Sequence, residues 1–216
     1  MQSECAILSG MFDTDEALAK IEEIHHHLAK SGIYRGYRSF VVAFSGIIGI
    51  LAAILQPLVV QGTDSFVFVG YWGAVAGINL ILCTVMILYR FLFRETRFEQ
   101  QKTLTVLIQF IPMILAGCLV TPFLAFNGAA TIPLLPGVWA LLFGMGILNV
   151  RPYLTNHTLI PALFYFAGAG LLFYLRYYDA HWLTAGMGAV FGTGQLLSAL
   201  VLYLGSERSE DGKKAG

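Results

Sequence analysis

Charge is what this chain has least of: Asp, Glu, Lys and Arg make up 12% of its 216 residues, against about a quarter in soluble domains. Hydrophobic residues reach 57%, above the roughly 45–50% of soluble proteins. Together these figures exclude an ordinary water-soluble fold and make lipid the solvent for most of the chain. The 13 basic residues are balanced by 13 acidic ones, and no concentrated basic patch exists to hold phosphates, so nucleic acid is excluded as a partner. Cysteine is scarce too. Cys5, Cys83 and Cys118 form no CxxC pair and no even-numbered framework, which excludes a disulfide scaffold; inside an apolar run a thiol behaves as a small hydrophobe. The N-terminus has no short basic region leading straight into an apolar stretch. Its first 38 residues hold ten charges, so no cleavable leader is expected.

What is there in quantity is long uncharged runs. A hydrocarbon core about 30 Å thick needs around 20 apolar residues in a helix. Six such runs are present: Phe40 to Val60, Phe66 to Tyr89, Thr103 to Phe126, Ile132 to Val150, Thr158 to Leu175 and Trp182 to Leu204. Residues Thr103 to Val150 form one uncharged stretch of 48, long enough for two crossings. The break is expected within Asn127 to Gly137, where Asn-Gly, Pro133 and Pro136 punctuate the run as a turn. The fold class expected is therefore all-α, a polytopic membrane bundle of six transmembrane helices. Three successive hairpins give a hint of internal repetition, because Trp72 with Gly73-xxx-Gly77-x-Asn79 is echoed by Trp182 with Gly188-xxx-Gly192-xx-Gln195.

Orientation follows from the cations, which short cytoplasmic loops retain. With the N-terminus inside, Lys20, Lys30, Arg35, Arg38, Arg90, Arg94, Arg97, Lys102, Arg151, Arg208, Lys213 and Lys214 all fall on the inner side, and Arg176 falls outside. Both termini are expected in the cytoplasm. Trp72, Trp182, Tyr71, Tyr177 and Tyr178 stand near the outer ends of their spans, where interfacial aromatics belong. The domain division is residues 1–38 as a cytoplasmic N-terminal segment, 39–205 as the six-helix transmembrane domain, and 206–216 as a charged, disordered cytoplasmic tail.

Within 1–38, Asp13 with Glu16 resembles a capping pair, and Ser31-Gly32 is the expected stop. Leu18, Ile21, Ile24 and Leu28 share one face of the helix between them, with Lys20, Glu22, Glu23 and His27 on the other. This N-terminal amphipathic helix, residues 13–31, has an apolar face to cover. Three covers fit: the inner membrane surface, the underside of the bundle, or a second copy or cytoplasmic protein. His25, His26 and His27 follow one another at about 100° per residue, so they do not converge on one ion, and no metal site is expected.

The spans contain no Asp, Glu, Lys or Arg. Ionisable groups at membrane depth mark proton relays and ion paths, so a pump or proton-coupled carrier is disfavoured, and no acid pair, HExxH motif or Ser-His-Asp set suggests a catalytic residue or a cofactor. The intramembrane polar residues are amides and hydroxyls, chiefly Asn79, Gln109, Gln195, Ser45, Thr84, Thr193 and Ser198. Asn79 and Gln195 stand at matching depth, just after a Gly-xxx-Gly face. They are candidates either to bond one another across two helices or, with Gln109, to line a pocket for a neutral ligand. Gly73, Gly77, Gly188 and Gly192 are the candidate helix-packing positions, by bundle packing or by association of two copies.

The stretches IEEIHHHLAKSGIYRGYRSFVVAFSGIIGILAAIL and LLPGVWALLFGMGILNVRPYL resemble a group of uncharacterised bacterial membrane proteins. That resemblance rests on the amphipathic pre-helix, a Ser- or Gly-rich start to the first span, and Pro-Gly-x-Trp-x-Leu-Leu-x-Gly in the fourth. It implies a bacterial inner-membrane location and no assigned activity. Gly46, Gly49 and Pro57 ahead of Gly70, Gly73 and Gly77 are also similar to the six-span acid-resistance membrane protein family, through small residues alone. The function expected is that of a non-enzymatic integral membrane protein, structural or regulatory; the alternative is a facilitator or binding protein for a neutral or lipophilic small molecule.

Overall fold

The computed structural model describes residues 39–60, 65–93, 97–154, 156–178 and 182–214. The expected amphipathic helix 13–31 and the three consecutive histidines lie outside them. The described residues contain helices and turns and no strand. Helix is the arrangement a single apolar segment must take in lipid, because every backbone N–H and C=O then bonds within the segment. Six helices are long and apolar enough to cross a membrane, and the chain is a multi-pass helical bundle.

In chain order these are α1 (Ser39–Val59), α2 (Ser65–Phe93), α3 (Arg97–Phe126), α4 (Leu135–Val150) and α5 (Leu159–Tyr178). The sixth span changes winding along its length, from α6 (Leu183–Met187) through a π-helical segment (Gly188–Thr193) to α7 (Gly194–Lys214). Helices α2 and α3 extend past their apolar runs, since a nucleated helix adds residues cheaply and charged loop residues do not stop it. For the same reason α7 continues to Lys214, so the tail expected to be disordered is helical through 214.

The turn between the third and fourth spans is shorter than the proline count suggested. It occupies Asn127 to Thr131, with Gly128 at φ +116°, a conformation that favours glycine. Pro133 and Pro136 instead open the helical run that follows, the first in a 3-10 turn at Ile132–Leu134 and the second in the first turn of α4. A missing N–H has no helical partner to lose at that position.

The core lies among α4, α5 and the sixth span. Its buried members include Ala140, Ile147, Ala162, Tyr165, Ala169, Leu172, Met187 and Val190. Small residues set the spacing: a Cβ on Gly144 would lie 3.3 Å from the Ala162 carbonyl oxygen, and one on Gly194 would lie 2.6 Å from the Tyr165 ring. Tyr165 is fully buried, packs its ring at a tilt against Phe143 with centroids 4.9 Å apart, and donates its hydroxyl to the Phe191 carbonyl in the π segment. Helix α1 packs antiparallel on the sixth span. Gly46 meets Gly192 and Gln195, Ile50 meets Gly192, and Ala53 meets Gly188. Helices α2 and α3 form the flank and bury very little of their length.

Candidate functional site

The candidate site is built from amides inside the spans, and the most buried of them is Gln56. Trp72 Nε1 donates to Gln56 Oε1 at 2.8 Å, and Gln56 Nε2 donates to Thr184 Oγ1 at 3.0 Å. Tyr71 donates its hydroxyl to the Ala52 carbonyl at 2.6 Å. One glutamine in α1 thus joins α2 and the sixth span at the end of the bundle that carries Trp72. Gln56 and Trp72 are both buried, so their bond is made where water cannot replace it. Sequence reasoning passed over Gln56. The available signal was an amide in the last turn of a span, at the level of Tyr71-Trp72 in α2 and Thr184 in the sixth.

The three amides singled out from sequence have three different environments. Gln109 accepts from Asn149 Nδ2 at its side-chain oxygen (2.9 Å) and at its backbone carbonyl (2.8 Å), linking α3 to α4. Gln195 lies on the α1 seam, its Cβ beside Gly46. Asn79 Oδ1 is buried without a hydrogen-bond partner among the described residues. The structure therefore does not join Asn79 to Gln195 through that oxygen, and the Gln109 side-chain oxygen is bonded to Asn149.

The glycines also divide. A Cβ on Gly188 would collide with Ala53 Cβ, and one on Gly192 with Ile50 Cγ1, whereas Cβ atoms on Gly73 and Gly77 would have nothing within 4 Å among the described residues. The reason is rotational. Phe68, Trp72, Val75 and Asn79 recur at three- and four-residue intervals and occupy one face of α2. Gly70, Gly73 and Gly77 lie about 180° away from it, at 100° per residue. The matching motifs thus do not reflect matching contacts.

Other polar contacts also tie helix to helix. Trp139 Nε1 donates to Thr121 Oγ1 at 2.9 Å between α4 and α3. Arg176 donates to the Ala130 carbonyl at 2.7 Å, fastening α5 to the α3–α4 turn. Cys83 and Cys118 are free thiols. Among the described residues no three His, Cys, Asp or Glu side chains come together as metal ligands. No protein-family model, curated protein or solved structure matches the chain.

Proposed function

We propose that this chain is a non-enzymatic integral protein of a bacterial inner membrane, structural or regulatory, with both termini in the cytoplasm and residues 13–31 as its exposed handle. The observation that carries this reading is the use made of polar side chains within the spans. Gln56, Gln109, Trp139 and Tyr165 each bond another helix, as scaffold residues do. The one-sided distribution of cations supports the orientation, and the amphipathic pattern supports a role for 13–31 in meeting a second copy or a cytoplasmic protein. Deleting 13–31 from the full chain is expected to abolish partner capture in a crosslinking pull-down from native membranes; undiminished capture would refute the handle. A reporter fused after Leu204 is expected to face the cytoplasm.

A second reading is favoured by one atom. The unpartnered Asn79 Oδ1 suits a facilitator or binding protein for a neutral or lipophilic small molecule. Proteoliposome uptake of uncharged solutes, compared with Asn79→Leu and Gln195→Leu, bears on the two readings: uptake that falls with Asn79→Leu favours the second, and no uptake removes the facilitator from it.

A further inference from the structure

We propose that Asn79 Oδ1 anchors a site for a lipophilic hydrogen-bond donor, a hydroxyl or N–H on an apolar body, admitted from the bilayer along the half-buried side of α2. This rests on the second reading above and names the chemistry of its ligand.

Three observations converge on it. Among the described residues, Asn79 Oδ1 is the one buried side-chain amide oxygen with no partner. An unsatisfied acceptor away from water costs about 1–3 kcal/mol, and in hydrocarbon no solvent relieves it. The inward stripe of α2 also changes character at this residue. Phe68, Tyr71 and Val75 pack on the buried core and Trp72 belongs to it, but Cys83 and Met86, the next residues on the stripe, join neither core cluster and stay half-buried. The amide therefore stands where the part of α2 that packs on the buried core gives way to the part that does not. Finally, the neighbouring positions on that stripe, Val75, Cys83 and Met86, are apolar or nearly so. A lone water needs two to four polar partners, and Asn79 is the one amide among Val75, Asn79, Cys83 and Met86. A ligand with a single donor and an otherwise apolar body meets both requirements, since its donor satisfies Oδ1 and its chain covers Cys83 and Met86.

The test uses the full chain in lipid nanodiscs and two photoreactive probes. One is a long-chain primary alcohol carrying a diazirine, and the other is its methyl ether, which has the same body and no donor. The alcohol is expected to label α2 between Val75 and Met86 about fivefold more than the ether, the value of one hydrogen bond, and unlabelled alcohol should compete. Asn79→Leu is expected to lower alcohol labelling to the ether level. Equal labelling by both probes in the unaltered chain overturns the proposal, and this comparison does not depend on the variant folding. Alcohol labelling that survives Asn79→Leu in folded protein overturns it as well. Solute uptake is scored separately. Uptake without Asn79-dependent labelling refutes this site and leaves the facilitator reading standing, while donor-dependent labelling without uptake supports the site and removes transport.

Discussion

Two segments of this molecule carry the same written motif in opposite surroundings. Gly188-xxx-Gly192, in the sixth span, is pressed against Ala53 and Ile50 of α1, whereas Gly73-xxx-Gly77, in α2, has open space where its side chains would be. The first pair lets two backbones approach to the distance at which Gly46 and Gly192 touch. The second lies on the face of α2 turned away from Trp72 and Asn79. A small-residue motif in a membrane helix states what close approach is permitted; which face the helix turns inward decides whether it is used.

The sharpest way to break this comparison is to fill both motifs. Gly192→Val places a branched side chain into Ile50, and overpacking of this kind costs about 1–3 kcal/mol; the collision is with Cγ1, next to the Ile50 branch point and not its flexible tip, which puts the variant at the upper end. Gly73→Val and Gly77→Val are expected within about 0.5 kcal/mol of the unaltered chain, as for positions without contacts. Unfolding in mixed detergent micelles ranks the three. If Gly77→Val proved as costly as Gly192→Val, the α2 face would have a partner in solution, and the contrast drawn here would fail.

The next test concerns what holds the flank to the core. Helix α2 contributes little buried surface, so its polar ties matter: the Trp72–Gln56–Thr184 chain joins it to α1 and the sixth span, beside the Tyr71–Ala52 bond to α1. Gln56→Leu removes both bonds and leaves the Trp72 N–H and the Thr184 hydroxyl without that partner. Interhelical hydrogen bonds in membranes average about 0.6 kcal/mol each and reach about 1.7, so a loss of about 1–2 kcal/mol is expected in the same assay. A neutral Gln56→Leu would mean that the Tyr71–Ala52 bond and the apolar contacts of Phe68, Tyr71 and Val75 seat α2 without it.

These cases also show which parts of the architecture were legible before the structure. Six spans could be read directly because a bilayer requires a fixed length of uncharged chain, and nothing in the packing changes that requirement. Helix ends were less legible. Pro133 and Pro136 look like turn residues in sequence, yet a proline in a first helical turn sacrifices no hydrogen bond, so the two alternatives are written alike. The tail through Lys214 illustrates the complementary case: its charges predict solvation, but they do not oppose a helix already nucleated inside the membrane. The amide pairings were not legible, because depth along a span says nothing of rotation about its axis. Asn79 and Gln195 share a depth, yet Gln195 lies on the α1 seam and Asn79 Oδ1 has no bond to it. Gln56 finds its partners 16 and 128 residues away, separations that no local pattern encodes.

The smallest expected effect sits at the other flank. Gln109 and Asn149 link α3 to α4 as Gln56 links α2 to the core, but their contact is exposed and doubled, since Asn149 Nδ2 also donates to the Gln109 backbone carbonyl at 2.8 Å. Gln109→Leu removes the side-chain acceptor and leaves the carbonyl in place, so one of the two bonds persists. A change of about 0.5 kcal/mol or less is expected, below that of Gln56→Leu. The double variant with Asn149→Leu isolates the pair, because coupling is the part of the double-variant effect that the single variants do not add up to. Coupling near zero would show that α3 is seated by its apolar contacts with α4, such as Met113 against Gly146. Coupling above about 1 kcal/mol would show that this exposed pair is worth as much as the buried one at Gln56, and that burial is not what separates the two flanks.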